Sequence, residues 1–312
     1  MPEIDKFIHA EVNNKGLISK AITDVLDEFR ERSSIKRLNK IDIYITKDPL
    51  RITKKIIPKR KISRHGEMRE WLFEYTPSFS YLKKGKNPAI MLNANESVFE
   101  TNNHLAIKGL FAHELMHLLN KIDGIEDELE EEAEKAAGTM FYLILKHEEL
   151  KPFNKEKLFS SFVRITATTI LFIKDILANS RAMSFGFDEN IYEYYKESIK
   201  HSTKNIKFTE KSIMKELKKG KISALDNAFL TYLGLNNTWI TFKMFHHDKW
   251  YRKLKKLSNI EVPDIMKKHA KSLAKEFGQI RSGGDEEQIA KVLKLTQQKY
   301  FNIIQHFCKK LK

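Results

Sequence analysis

The sequence is poor in cysteine, which limits the kinds of site it can build. Cys308 is the only cysteine among 312 residues. An intramolecular disulfide is therefore excluded, and so is a zinc site made of cysteines; both absences fit a reducing compartment. Any metal site in this chain must use histidine and carboxylate side chains.

Long apolar runs are also missing. The first residues mix acidic and basic side chains and lack the apolar core of a secretory signal. The longest apolar stretch, residues 165–173, lies between Arg164 and Lys174 and is far shorter than the ~20 residues that a membrane span needs. These absences predict a soluble, cytoplasmic protein that does not enter a membrane.

The sequence has an excess of positive charge, and this excess lies in one half of the chain. Residues 1–150 carry 24 basic and 25 acidic side chains, a net charge of −1, whereas residues 151–312 carry 32 and 16, a net charge of +16; the sum is the formal +15. A basic surface of this size favours nucleic acid or an acidic protein as a partner. A lysine-rich solvated helical surface explains the same composition, so both interpretations stay open.

The periodicity of apolar residues predicts helices and a few strands. Alternating or β-branched segments at residues 41–46, 69–76 and 88–94 are typical of strands, and residues 14–32, 101–121 and 126–149 have helical spacing. A basic stretch between the first two strands is expected to end in a loop at Pro58. The order predicts an α+β fold, with a small sheet and helices in residues 1–150 and a basic, mainly α-helical domain in residues 151–312. The expected breaks in that domain are Gly186, Asn236, Pro263 and the turn at 282–285.

The stretch HELMH, residues 113–117, has the spacing of a metal site. His113 and His117 are one helical turn apart, so both imidazoles can reach one zinc ion, while Glu114 is placed to activate a metal-bound water. Phe111 and Leu115 contribute to an apolar stripe that would bury this helix in a core. The same residues would also make an ordinary core helix if no metal bound.

A third ligand is expected from the acidic segment that follows. If the chain reverses near Asp123, residues 129–133 face the two histidines, and Glu130, Glu131 and Glu132 fill that window. The acidic run also has a simpler explanation, since carboxylates are favourable near a helix N-terminus.

HELMH followed by Glu130, Ala133 and Glu134 resembles the gluzincin zinc metallopeptidases, whose pattern is HExxH and then ExxA[D/E]. The resemblance covers about residues 87–145. It implies a zincin-like sheet and a Zn²⁺ ion bound by His113, His117 and Glu130. It also implies that Glu114 is the catalytic general base and that Glu134 orients a ligand histidine.

The resemblance further implies hydrolysis of a peptide or protein substrate. Residues 88–94 would then form the edge strand on which an extended substrate pairs through its main chain. Gluzincins often add a tyrosine or histidine that holds the oxyanion, and the candidates here are Tyr142, His147, Tyr192, Tyr194 and Tyr195.

Alternatives remain at the level of the sequence. Glu132 can replace Glu130 as the ligand. The stretch also resembles the metzincin pattern HExxHxxGxxH, with Asp123 in the place of the third histidine, Asn120 in the place of the glycine, and Met183 near a methionine turn. A function of a different class is a nucleic-acid-binding or regulatory protein with a structural or vestigial HExxH site, and a third is a metal-bound but inactive scaffold.

Overall fold

The computed structural model describes most of the chain as two compact units. The described residues are 5–10, 12, 14–32, 38–56, 78–82, 87–126, 129, 150, 153–202, 206–258, 260–280 and 286–311. The first unit lies within Met1–Asp123 and Arg181–His201, and the second within Gly124–Ser180 and Ser202–Lys312. These ranges differ from the predicted division at residue 150 in two ways: the second unit begins at Gly124, and residues 181–201 join the first unit. The α+β class is confirmed.

The first unit contains a four-stranded sheet. Its strands are β1 (Asp5–Ala10), β2 (Lys40–Thr46), β3 (Ser78–Tyr81) and β4 (Ala89–Asn93), in the order β1-β2-β4-β3. Strands β1, β2 and β4 are parallel, and β3 is antiparallel to β4. Alternate isoleucines of β2 are fully buried, as expected for a strand with one face on a core. The predicted strands at 41–46 and 88–94 are thus confirmed.

Strand β4 occupies an internal position, which corrects one expectation. It pairs with β2 on one side and with β3 on the other, so its backbone is already used and cannot serve as the edge strand for a substrate. The sequence gives the physical reason, because Ala89–Leu92 are four consecutive buried apolar residues, a pattern typical of a strand covered on both faces. Among the described strands, β1 and β3 form the edges.

Helices flank this sheet in the first unit. They are α1 (Lys15–Arg32), α2 (Pro49–Ile56), the short α3 (Ser97–Glu100), α4 (His104–Ile122), the end of α5 (Lys155–Ser184) and α6 (Asp188–Ser202). Helix α1 buries the apolar face that its spacing predicts. Helix α2 was not predicted, because its many basic residues obscure a short apolar face.

Helix α4 begins and ends with recognisable caps. The side chain of Asn103 accepts a hydrogen bond from the backbone N–H of Ala106 at 3.3 Å, so Asn103 is the N-cap. At the other end the chain turns at Gly124, whose φ of 82° suits glycine.

The second unit is helical. It contains the first part of α5, then α7 (Glu210–Lys218), α8 (Ser223–Met244), α9 (Asp248–Leu257), α10 (Asp264–Phe277) and α11 (Glu286–Leu311). Its apolar core includes Cys308, which is 2% exposed. No helix in the described part of the chain is long and apolar enough to cross a membrane.

The expected helix breaks have different outcomes. Gly186, with a φ of 79°, follows α5, and Pro263 precedes α10. The break at Asn236 was wrong, because this residue lies inside α8 and its side-chain amide donates to the backbone oxygen of Tyr232 at 2.7 Å. Such a local bond lets asparagine remain in a helix. The strand at 69–76 and the turn at 282–285 lie outside the described residues, as does nearly all of the helix expected at 126–149.

Candidate metal centre

Helix α4, which carries HELMH, is held to its neighbours near both ends. Lys108 forms an ion pair with Glu28 of α1, and the Lys121 ammonium donates a hydrogen bond to the backbone of β3. Between these anchors, His113 and Glu114 are each 5% exposed. This helix therefore places two polar side chains in the buried interior of the first unit. Burial of such groups costs free energy unless they have hydrogen-bond or charged partners.

The two histidines of HELMH face each other. Their Nε2 atoms are 3.1 Å apart, and their rings meet edge to face with centroids separated by 4.6 Å. Two imidazole nitrogens bound to one tetrahedral zinc at 2.0–2.1 Å would lie about 3.3 Å apart. The observed geometry therefore fits a shared metal ion. Without a metal, one ring N–H can donate to the other ring's nitrogen over the same distance.

Glu114 has a second carboxylate nearby, that of Glu96. Part of Glu96 reaches the surface, but its carboxyl group is enclosed and accepts a hydrogen bond from Ser78 at 2.6 Å. Burial, and to a smaller extent the charge of Glu114, raise the pKa of Glu96 from 4.5 to about 8, against the lowering effect of the Ser78 hydrogen bond. At neutral pH Glu96 thus holds its proton and is a neutral neighbour of Glu114.

Two tyrosines of α6 lie against His113. The rings of Tyr194 and Tyr195 have centroids 6.0 and 6.4 Å from that of His113. Tyr194 is buried and Tyr195 is half-buried. Tyr192, from the same helix, packs instead beneath a lysine side chain. Among the described candidates for holding the oxyanion, Tyr194 and Tyr195 are thus the two whose rings lie near His113.

A glycine makes this contact between α4 and α6 possible. A Cβ atom on Gly109 would lie 2.0 Å from the backbone oxygen of Asn190 and 2.9 Å from Cβ of Tyr194. Real atoms do not approach so closely, so α6 can pack here only on a residue without a side chain. Gly109 is one turn before His113 on the same helix face, which is why the close packing brings Tyr194 to the imidazole.

Several predicted site residues lie outside the described residues. These are Glu130, Glu132 and Glu134, together with Tyr142 and His147. The gluzincin assignment of Glu130 as third ligand and of Glu134 as its supporting residue stays a prediction.

The metzincin alternative meets an obstacle at the end of α4. That pattern requires a left-handed turn at Asn120, but the helix continues through this residue to Ile122. The carboxylate of Asp123 pairs with the guanidinium of Arg181 at 2.8 Å, and the side-chain oxygen of Asn120 accepts from the same guanidinium at 2.9 Å. Asp123 is therefore engaged as an ion-pair partner at the helix end.

Comparison with known proteins supplies no relative from which roles can be transferred. No family model, curated protein or solved structure matches this chain. The arrangement of residues in the first unit is therefore the basis for a functional assignment.

Sequence reasoning missed Glu96 and did not select Tyr194. Glu96 follows β4 and reaches Glu114 only through the fold, so no sequence spacing announces it. For Tyr194 a signal exists in Gly109, since a glycine inside a helical pattern often marks the close approach of another element.

Proposed function

We propose that this chain is a zinc-dependent peptidase whose zinc ligands are His113, His117 and Glu130. The observation that carries the proposal is the 3.1 Å separation of the two Nε2 atoms on a buried helix, with Glu114 between them in sequence. Two facing imidazoles, a neighbouring carboxylate and a buried setting are the parts that metal-assisted hydrolysis needs.

Zinc bound there would lower the pKa of a bound water and polarise the substrate carbonyl. The chain's own residues would move the protons and orient the groups. Glu114 would accept a proton from the attacking water and deliver it to the leaving amine. Glu96, neutral near pH 7, leaves Glu114 without a second negative charge beside it. Tyr194 and Tyr195 restrict the orientation of the His113 ring.

The proposal is tested by the metal content of the purified protein and by its cleavage of unstructured peptides of mixed sequence, followed by mass spectrometry. We expect about one zinc ion per chain, lost in His117→Ala and in Glu130→Gln. Glu114→Gln should keep the zinc and lower cleavage by about 100-fold or more, because it removes the base and not a ligand.

Matched variants identify the third ligand. Glu132→Gln and Asp123→Asn remove a neighbouring charge of the same kind and should keep the metal. Loss of zinc in Glu132→Gln with retention in Glu130→Gln would move the ligand by two residues. A wild-type protein that takes up no zinc contradicts the proposal, and one that binds zinc but cleaves no peptide is an inactive metal scaffold.

A further inference from the structure

The second unit presents a row of positive charge on α9. This ten-residue helix contains five basic residues and one acidic residue. Lys249, Arg252, Lys253 and Lys256 follow the spacing of one helix face, and all four are exposed. We call these four residues the basic stripe.

The charges of the basic stripe are not balanced by carboxylates. Some other surface lysines of the second unit do pair with acidic residues, as Lys219 does with Glu216 at 2.7 Å and Lys267 with Asp264 at 3.0 Å. Within the described ranges, no carboxylate lies within ion-pair distance of any cation of the stripe. Among the residues that the structure describes, the side chain of Arg252 donates a hydrogen bond to the backbone oxygen of Asp248, in its own helix. Uncompensated cations in a row create a local positive potential that attracts a polyanion.

The opposite face of α9 is occupied by packing inside the unit. Leu254 is fully buried, and the Trp250 ring meets Phe242 edge to face at 6.2 Å and lies 4.5 Å from His247. The apolar face of an amphipathic helix is what enters a lipid surface. Since this face is already covered, a membrane would be held by charge alone.

An aromatic ring lies on the flank of α9, between the basic stripe and the covered face. Tyr251 is half-buried, and the ammonium groups of Lys243 and Lys255 lie 6.0 and 5.8 Å from its ring centroid. An accessible ring flanked by cations is the arrangement with which proteins stack a nucleic-acid base while neutralising the adjoining phosphates.

We propose that α9 binds single-stranded nucleic acid. The basic stripe contacts successive phosphates, and Tyr251 stacks on a base. This inference rests on the second unit alone and is independent of the zinc site. The recognition is of the backbone and of base faces, so it is tolerant of sequence and is shared by RNA and DNA.

The test is binding of a fluorescent oligothymidylate of about 20 nucleotides to the full-length protein, measured by anisotropy between about 50 and 200 mM salt. Replacing the four residues of the stripe by alanine should weaken binding by more than about tenfold. It should also reduce the slope of log affinity against log salt by about 0.7 for each lost phosphate contact. Tyr251→Leu should weaken binding several-fold at every salt concentration and leave the slope unchanged.

A matched control removes the same charge elsewhere on the second unit. Lys219, Lys221, Lys267 and Lys310 are surface lysines that pair with carboxylates, and their joint replacement by alanine should change affinity less than about threefold. Equal weakening in both quadruple variants would overturn the proposal, because the loss of net charge from any part of the surface would then explain the weaker binding. Wild-type protein that binds anionic phospholipid vesicles through the stripe, and not the oligonucleotide, would overturn it in favour of a lipid surface. Circular dichroism checks that each variant is folded.

Discussion

The buried polar cluster around Asp226 in the second unit and the one around HELMH in the first unit are built in opposite ways. In the second unit complementary groups meet, since Asp226 accepts hydrogen bonds from both Ser161 and Tyr300. In the cluster of the first unit, groups of the same kind meet. The Nε2 atoms of two imidazoles are 3.1 Å apart, and the carboxylate of Glu96 lies close enough to Glu114 for its charge to raise the pKa of Glu96. Complementary groups stabilise a fold by themselves, whereas like groups brought together cost stability and are typical of functional sites. The contrast therefore supports the proposal of a functional site in the first unit.

The largest effect is expected at the glycines where helices approach each other. Gly109→Ala in the first unit would place a methyl group 2.0 Å from a backbone oxygen, which cannot move without shifting α6. We expect a loss of about 3 kcal/mol in the free energy of unfolding, measured by urea denaturation, and a weaker contact between Tyr194 and His113.

The matched change in the second unit is Gly234→Ala. Its Cβ would meet ring atoms of Phe172 at 3.0 Å, and a ring can turn aside. Alanine also favours the helix by about 1 kcal/mol, so the net change should stay within about 1 kcal/mol. Equal losses in the two variants would show that the backbone contact at Gly109 is not the constraint described above.

The sequence predicts those features that depend on local spacing. Helices α1 and α4 and strands β2 and β4 follow from apolar periodicity, and His113 and His117 share one helix, so their meeting needs no knowledge of the fold. By contrast, Glu96 and Tyr194 come from separate elements and reach the site through tertiary packing. The internal position of β4 likewise depends on β3, a four-residue strand too short to show a pattern. Helix α2 was not predicted either, because its three basic residues obscure the apolar pattern of a short helix.

A second, smaller effect should appear in the polar network of the second unit. Burial, and then the charge of Asp226, raise the pKa of Tyr300 well above its ordinary value, so the hydroxyl stays protonated and donates. Tyr300→Phe removes this donor from a buried carboxylate and should cost about 2 kcal/mol by urea denaturation. Tyr232→Phe, at a half-buried tyrosine of the same unit, serves as the control and should cost less than about 0.5 kcal/mol. A Tyr300→Phe variant as stable as the wild type would show that the network adds nothing.

The last effect concerns the pH dependence of stability through Glu96. Its pKa is about 8 in the folded protein and 4.5 when unperturbed. Between these values the folded state keeps a proton that the unfolded state releases, so the contribution to stability is complete below about pH 4.5 and declines as the pH rises towards 8. Glu96→Gln should remove this decline, so its stability relative to the wild type should rise by about 4 kcal/mol between about pH 5 and pH 8.

The measurement is the urea midpoint across this pH range, with a chelator present so that metal binding does not contribute. Ser78→Ala is the companion variant: it removes a hydrogen bond that lowers the pKa of Glu96, so the decline with pH should persist and extend to higher pH. Parallel curves for Glu96→Gln and the wild type would show that the Glu96 carboxyl is not enclosed, and the like-with-like character of the first unit would then rest on the histidines alone.

The path of helix α5 has a consequence for how the protein is made. The helix begins in the second unit and ends in the first, so residues 181–201, including Tyr194, complete the first unit only after residues 124–180 have been synthesised. A ribosome adds about 5–20 residues per second, so HELMH leaves the ribosome several seconds before the tyrosines that pack against it. During that interval the α4 surface beside Gly109 is uncovered, and the candidate site is finished late in translation.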